Sequence, residues 1–451
     1  MRFTTSELAD ATGGEVFGRE VEVDGAAFDS RHVRPGQLFV PIVAERDGHD
    51  FIAAAVAAGA VAYLTAGPIG AGTAVRVAHT GRALTDIGAH ARSRLPNRVV
   101  GITGSVGKTS LKDLLAAATA TTWPTAASVG SFNNELGVPL TLANAPEDTA
   151  CTVVEMGARG VGHIAALCSV ARPTVGVVTV VAGAHLELFA SLEEVASAKS
   201  ELVRSLPADG TAVLNADDPR VATMADVAVA SVVTFGDAGT GDVQAVAIEL
   251  DDQLRPRFEL HSPWGQVMVR LAVAGRHQVT NALGAAAAAM AMGVTPEAVA
   301  EGLAGARLSA MRMDLRVTPS GLRVLDDAYN ANPTSMRAAL DALAAIGAER
   351  RIAVLGTMHE LGPDRDAEHV AVAEYAHRLG LIVLAVGEAA YGLDGDQAVA
   401  NVDDATARMQ AFGLGPGDAV LVKASRAVGL ERVVTALHEP GGSESGRSLD
   451  P

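Results

Sequence analysis

The chain has 451 residues, 49% apolar but only 4% aromatic, with 47 glycines and a formal charge of −17. This composition suits several α/β units with alanine-packed helices and excludes a fibrous or disordered chain. The acidic balance disfavours nucleic acid and anionic membranes as partners, and no apolar run approaches the ~18 residues of a membrane span. Two cysteines, Cys151 and Cys168, cannot build a disulfide framework and are expected to be buried as small hydrophobes. The opening "MRFTTSELAD" lacks the basic-then-apolar plan of a signal peptide. The expectation is a cytoplasmic, monomeric protein with small-molecule ligands.

Residues 1–80 mix short apolar runs, "GQLFVPIV" and "AVAYL", with the polar insertions "DSRHVRPG" and "RDGHDF", which reads as a small α/β domain. A helix over 82–94 leads into a strand at Arg98–Thr103. From there strands and helices alternate through "TVVEM", "VGVVTV" and "GTAVLNADD", which predicts a parallel sheet with helices on both faces over 81–313. After the alanine-rich "NALGAAAAAMAMG" and a break near 305–322, the strands "RIAVLG", "LIVLAVG" and "DAVLVKAS" mark a smaller α/β unit over 314–438. The Gly/Ser-rich tail, 439–451, is expected to be disordered.

The stretch "GITGSVGKTS", residues 101–110, reads as a phosphate loop with one irregularity: Ile102 stands where the usual G-x-x-x-x-G-K-[ST] spelling has its first glycine. Strand, glycines, lysine, threonine and helix still fall in the required order. Gly104 and Gly107 allow backbone N–H groups to face an anion at the helix N-terminus. Lys108 can reach the β- and γ-phosphates, and the Thr109 hydroxyl can ligate Mg²⁺. Glu155 ends the strand "TVVE" at the sheet edge where ligands bind, as expected of a metal ligand. His185 follows "VGVVTV" at the same edge, where a structural histidine is an equally good reading. Lys199 lies a little over two turns into a helix opened by the capping-box pattern "SLEE" and, on spacing alone, is a solvated helix lysine.

"GITGSVGKTS", "SFNNELGVPLTL", "VVEMGARGVGHI", "AHLE", "SAKSEL", "GRHQVTNALGAAAA" and "DDAYNANPTSMRAAL" together resemble the Mur ligase family, the last being the signature of its MurF branch. The resemblance runs from "DSRHVRPGQLFV" to "VLVKASRAVGLERVV". It implies three domains: a small N-terminal α/β domain for a UDP-sugar, a central P-loop parallel-sheet ATPase domain, and a C-terminal Rossmann-like domain. It also accounts for the loop, which matches the family's shorter T-G-x-x-G-K-T form from Thr103 to Thr109.

The activity it implies is ATP-dependent amide ligation of D-alanyl-D-alanine to UDP-N-acetylmuramoyl-tripeptide through an acyl phosphate, in peptidoglycan precursor synthesis. A ligase of the same fold with another acceptor or amine is the alternative. The implied nucleotide set is Thr103, Gly104, Ser105, Val106, Gly107, Lys108, Thr109 and Ser110, with Asn281 at the adenine and Arg312 and Asp327 from the C-terminal side. Two Mg²⁺ ions fall to Thr109, Glu155, His185 and Lys199, the lysine being carbamylated by CO₂. Lys108, Lys199, His185 and Arg312 form the implied catalytic set. Ser30 and Arg31 are assigned to the UDP moiety, and Asn133, Asn134, Tyr329, Asn330 and Asn332 to the peptide substrates. Arg312 and Asp327 are expected to need domain closure before they reach the loop. Four departures from the family pattern, Ala44, Thr357, His359 and Ala424, fall outside the ATP and metal set.

Overall fold

The computed structural model describes residues 1–183, 189 and 191–438. His185 and the tail 439–451 therefore lie outside the described residues. Three sheets succeed one another along the chain, beside a small antiparallel pair, Arg2–Thr4 with Glu22–Asp24.

The first sheet runs in the order Glu15–Phe17, Thr73–Arg76, Ala62–Thr65, Leu38–Phe39, Ala26–Ala27, and only its first pairing is antiparallel. The two polar insertions of this region become single 3-10 turns, Ser30–His32 and Gly48–Phe51. Each starts on an aspartate: Asp29 accepts from the Arg31 amide at 3.0 Å and Asp47 from the His49 amide at 2.9 Å. The helix Thr80–Arg94 then docks this unit on the next. A Cβ on its Gly88 would stand 2.6 Å from the Pro139 Cα, so only glycine admits the helix Gly137–Ala143 that closely. One apolar cluster runs from Met1, Phe3 and Leu8 through Leu84 and Ile87 to Val138, Leu142 and Met156, so the first two units share a core.

The central sheet has nine strands in the order Gly265–Arg270, Pro256–Ser262, Val243–Leu250, Ser231–Gly236, Thr211–Asn215, Val175–Val178, Val99–Thr103, Cys151–Glu155, Thr125–Ala127. Seven are mutually parallel, as the βα alternation predicts. The last two pairings, Val243–Leu250 with Pro256–Ser262 and Pro256–Ser262 with Gly265–Arg270, are antiparallel, which corrects the expectation of a purely parallel sheet. The reason is a tight connection: Pro263 and Trp264 alone join the last pair, too short for the crossover that a parallel pairing needs. The helix Gln278–Ala291 packs on this sheet with Ala285 to Ala289 fully buried, and Gly284 faces Leu111 and Phe235. Small side chains let it lie close to both the sheet and the helix Lys108–Ala120.

The third sheet runs Asp314–Val317, Arg323–Asp326, Asp418–Lys423, Arg350–Gly356, Ile382–Val386, Ala398–Val399, parallel but for the first pair. The strands read from "RIAVLG", "LIVLAVG" and "DAVLVKAS" are all present. Both cysteines are buried and free. No helix among the described residues is long and apolar enough to cross a membrane.

Candidate active site

The carboxyl ends of the central parallel strands open onto a cleft of about 660 Å³, walled by all three units. Phe28 comes from the first, the 104–110 loop, Glu155 and Lys199 from the second, and Asp327, Tyr329, Asn330 and Lys423 from the third.

The loop leaves the buried strand Val99–Thr103 and enters the helix Lys108–Ala120, which no side chain caps. Gly104 has φ +147° and lies against Thr179, whose Oγ1 would be 1.8 Å from any added Cβ. Gly107 has φ +86°, and a Cβ there would meet Asn281 Oδ1 at 2.5 Å. Both positions therefore need glycine. Ser105 pins the turn: its amide donates to Val180 O at 2.7 Å and its hydroxyl to Ala182 O at 2.9 Å. The Thr179 hydroxyl donates to Val106 O at 2.6 Å. The result is a rigid turn with the free N-terminus of a helix behind it, the arrangement that suits a phosphate.

Lys108 curls back over the loop and donates to Gly104 O at 2.6 Å. Glu155, 1% exposed, is held at both oxygens, accepting from Thr109 Oγ1 at 2.8 Å and from Asn133 Nδ2 at 2.8 Å. Arg312 Nη2 reaches the same Thr109 hydroxyl at 3.2 Å, and its guanidinium lies 4.3 Å from the Tyr329 ring centroid. Tyr329 in turn touches Ser131 through its hydroxyl. In this arrangement of the units Arg312 stands beside the loop. Met311 and Met313 on either side have φ +60° and +51°, a backbone that methionine rarely adopts and that the surrounding contacts must impose.

Lys199 corrects its bland reading. The helix Leu192–Arg204 turns it inward, leaving it 3% exposed in the cleft wall. Desolvation, with Lys108 as a like charge nearby, lowers its pKa to about 7. Lys108 is also lowered by desolvation, with Glu155 opposing the shift. Ser191 caps this helix as expected, accepting from the Glu194 amide at 3.2 Å.

Asp327 is buried and lies in the cleft wall, accepting from the Met313 amide at 3.1 Å and from Lys423 Nζ at 2.5 Å. Lys423 also donates to Asn330 O at 2.8 Å. The two asparagines of "YNANP" part company here. Both line the cleft, but Asn332 is buried and caps the helix Pro333–Ala345, its Oδ1 accepting from the Ser335 amide at 2.9 Å, whereas Asn330 is exposed. Asn134 is likewise committed to its own backbone, accepting from the Gly137 amide at 2.9 Å. Asn281 donates to Gln278 at 2.9 Å beside the loop. Ser110 is buried in the first turn of the loop helix, and Thr103 is fully buried.

Ser30 and Arg31 are not among the cleft-lining residues, although Phe28 is. The exposed Arg31 instead holds Asp29, with Nη2 to Oδ2 at 2.6 Å, and this pairing keeps the Asp29 carboxyl well below the usual range. Lys423, absent from the residues singled out in the sequence, carries the same signal that marked Glu155: a charged residue ending an apolar strand, "DAVLVK". Of the departures, Ala424 packs its methyl where Gly356 leaves room, 2.8 Å from a Cβ built on that glycine. His359 and Glu360 line the cleft, and Ala44 sits in an exposed turn.

The Mur ligase middle-domain family matches residues 102–289, and the family described as Mur ligase, glutamate ligase domain, matches residues 311–426. A relative from Mycobacterium bovis, a UDP-N-acetylmuramoyl-tripeptide–D-alanyl-D-alanine ligase, is 41% identical across 97% of this chain and 98% of its own. The chain belongs to the Mur ligase family. A crystal structure of MurF from Acinetobacter baumannii superposes with a TM-score of 0.86 at 31% identity, covering 98% of this chain and 99% of that one, which sets the chain on the MurF branch. MurF ligase from Thermotoga maritima, solved in complex with ADP, superposes with a TM-score of 0.79 at 27% identity over 92% of this chain and 97% of its own. The Mur ligase middle-domain match contains the loop, Glu155, Lys199 and Asn281, and the C-terminal match contains Arg312, Asp327 and Lys423.

The Lys199 amine gives a pH signature. A lysine of the unfolded chain titrates near 10.4, whereas this one titrates at about 7 when folded. Between those limits the unfolded state binds more protons, so this group makes stability rise with pH. Lys199→Met, studied in CO₂-free buffer, is expected to stabilise the fold at pH 7 by on the order of a few kcal/mol, the gain fading toward pH 10.5. Melting temperatures of both proteins across that range would show it. A pH-independent difference would return the amine to solvent.

Proposed function

We propose that this Mur ligase joins D-alanyl-D-alanine to UDP-N-acetylmuramoyl-tripeptide at the expense of ATP, which becomes ADP and phosphate. The observation that carries the reading is the convergence on Thr109 of a phosphate loop, a buried carboxylate and an arginine from the linker between units, in a cleft that all three units wall. The 41% identity to the Mycobacterium bovis ligase, across 97% of this chain and 98% of that one, supports it. The units are assigned as 1–80 for the UDP-sugar, 81–313 for ATP and 314–438 for closure over both. Substrates of this kind, a nucleotide-linked sugar peptide and ATP, belong to the cytoplasm, and the protein is read as a monomer there.

The chemical problem is charge. A substrate carboxylate must attack the γ-phosphorus, forming a C(O)O–P bond as the bond to ADP breaks, and anion repels anion until cations intervene. Lys108 and the helix N-terminus behind it lie where the phosphates would sit, and Arg312 approaches from the linker. Such fixed positive groups act most strongly on charge that develops in the transition state. The amine of the dipeptide then attacks the acyl carbon, a C–N bond forms, phosphate departs and the nitrogen loses its proton.

Thr109 and Glu155 present two hard oxygen donors together, a set that fits Mg²⁺. Bound there, the ion would neutralise phosphate charge and hold the reacting oxygens in line. His185 is assigned to a second ion. Lys199 suits carbamylation because burial lowers its pKa to about 7, so that about half of the amine is neutral at that pH. A neutral amine adds to CO₂ and releases a proton. The resulting carbamate replaces an ammonium that Lys108 would repel with an anion that it attracts.

Purified protein given Mg²⁺, ATP, UDP-N-acetylmuramoyl-tripeptide and D-alanyl-D-alanine should release phosphate only when both organic substrates are present. Tripeptides carrying a diamino acid or lysine at the third position would reveal the acceptor. Fast phosphate release with neither substrate would contradict the proposal, and release with another amine would identify a ligase of different specificity. Within the same assay the asparagines should separate. Asn330→Ala is expected to raise the KM for the dipeptide about tenfold or more while leaving that for ATP unchanged. Asn332→Ala should instead lower stability by about 1 kcal/mol through loss of the helix cap. A rise in the ATP KM of Asn330→Ala would move that residue to the nucleotide side.

A further inference from the structure

One turn beyond Lys108 on the loop helix stands a second inward lysine, for which the reaction above has no use. Lys112 is 2% exposed. Its ammonium has three donors, and each meets an oxygen: Ser128 O at 2.7 Å, Gly130 O at 3.0 Å and Asp113 Oδ1 at 2.8 Å. The other oxygen of Asp113 accepts from the Ser309 amide at 2.7 Å. A buried charge is tolerated only when matched in this way, but nothing about stability requires the matching groups to come from these two segments.

The segments are those that shape the cleft. In 128–134, Ser128 Oγ accepts from the Glu155 amide at 3.2 Å, Ser131 touches Tyr329, the Phe132 ring lies 5.7 Å from that of Phe28, and Asn133 donates to Glu155. One segment thereby meets the first unit, the third unit and the buried carboxylate. Ser309 lies three residues before Arg312, in the linker whose backbone turns through the positive φ of Met311 and Met313. Gly130 is also at positive φ, +54°. Neither segment is held by a regular ladder of backbone bonds.

We infer that Lys112 and Asp113 are positioning residues that fasten segment 128–134 and the Arg312 linker to the helix of the nucleotide loop. Ordering the loop around a nucleotide then also orders the groups that receive the peptide substrates and the arginine between the units. The inference rests on the ligase reading, and wild-type turnover with the two organic substrates tests that reading separately.

The experiment uses full-length Lys112→Met, Lys112→Arg and Asp113→Asn. Direct binding of ADP, KM for each substrate, kcat, melting temperature and amide exchange of 128–134 are compared with wild type. Lys112→Met is expected to keep its ADP affinity while kcat/KM for the acceptor and the dipeptide falls about ten- to a hundredfold, as for misplacement by about an ångström. Amides in 128–134 should exchange faster while those of 104–107 do not, and Lys112→Arg should recover part of the loss. Should Lys112→Met fail to fold, the same split between ADP binding and peptide-substrate kinetics is read from Asp113→Asn. Activity that merely tracks the folded fraction, with every KM unchanged, would overturn the inference. Equal losses of ADP affinity and of peptide-substrate kinetics would overturn it too.

Discussion

The hydrogen bond from Thr109 to the buried Glu155 carboxylate is the contact on which the rest of the site depends. It joins the helix of the phosphate loop to the end of the neighbouring strand. Through Asn133 on the other carboxylate oxygen it also fixes the segment that reaches the first and third units. Arg312 closes the set from the linker. A carboxyl group this deeply buried needs such hydrogen-bond donors around it. Geometry and charge are therefore determined together.

Around that bond the cleft gathers cations. Lys108, Lys199 and Arg312 face a region from which water is partly excluded, and Lys423 is matched to Asp327 at its far wall. Burial first, and the like charges second, disfavour these cations when alone and lower the pKa of both Lys108 and Lys199. They become favourable with the triphosphate and carboxylate of a ligase reaction. The same burial that makes Lys199 a poor ammonium is what suits its amine to the carbamylation proposed above. Folding strain and chemical competence thus have one electrostatic origin.

How much of this was legible in the sequence depended on whether the signal was local. The loop was readable because glycine, lysine and helix have fixed mechanical roles there. Glu155 was readable because a carboxylate at the end of an apolar strand is unusual, and Lys423 could have been found by the same test. The antiparallel strands over 243–270 were not assigned, although Phe258 and Leu260, and Val267 and Val269, alternate as a half-buried hairpin should. The βα reading of the neighbouring segments was extended over them. Lys112 and Lys199 lie on helices in which polar neighbours suggest solvent, and only tertiary packing shows them buried. Asn330 and Asn332 were indistinguishable by type, because the cap that separates them is made by backbone geometry.

The central claim is that this cleft activates a carboxylate by phosphorylating it. The direct measurement is a single turnover with the acceptor carboxylate labelled with ¹⁸O, in the presence of ATP and D-alanyl-D-alanine, followed by mass analysis of the products. The account predicts that each amide formed transfers one labelled oxygen to inorganic phosphate, because the carboxylate oxygen bonds to the γ-phosphorus and leaves with it. Label that remains wholly in the peptide, or that appears in AMP, would contradict it.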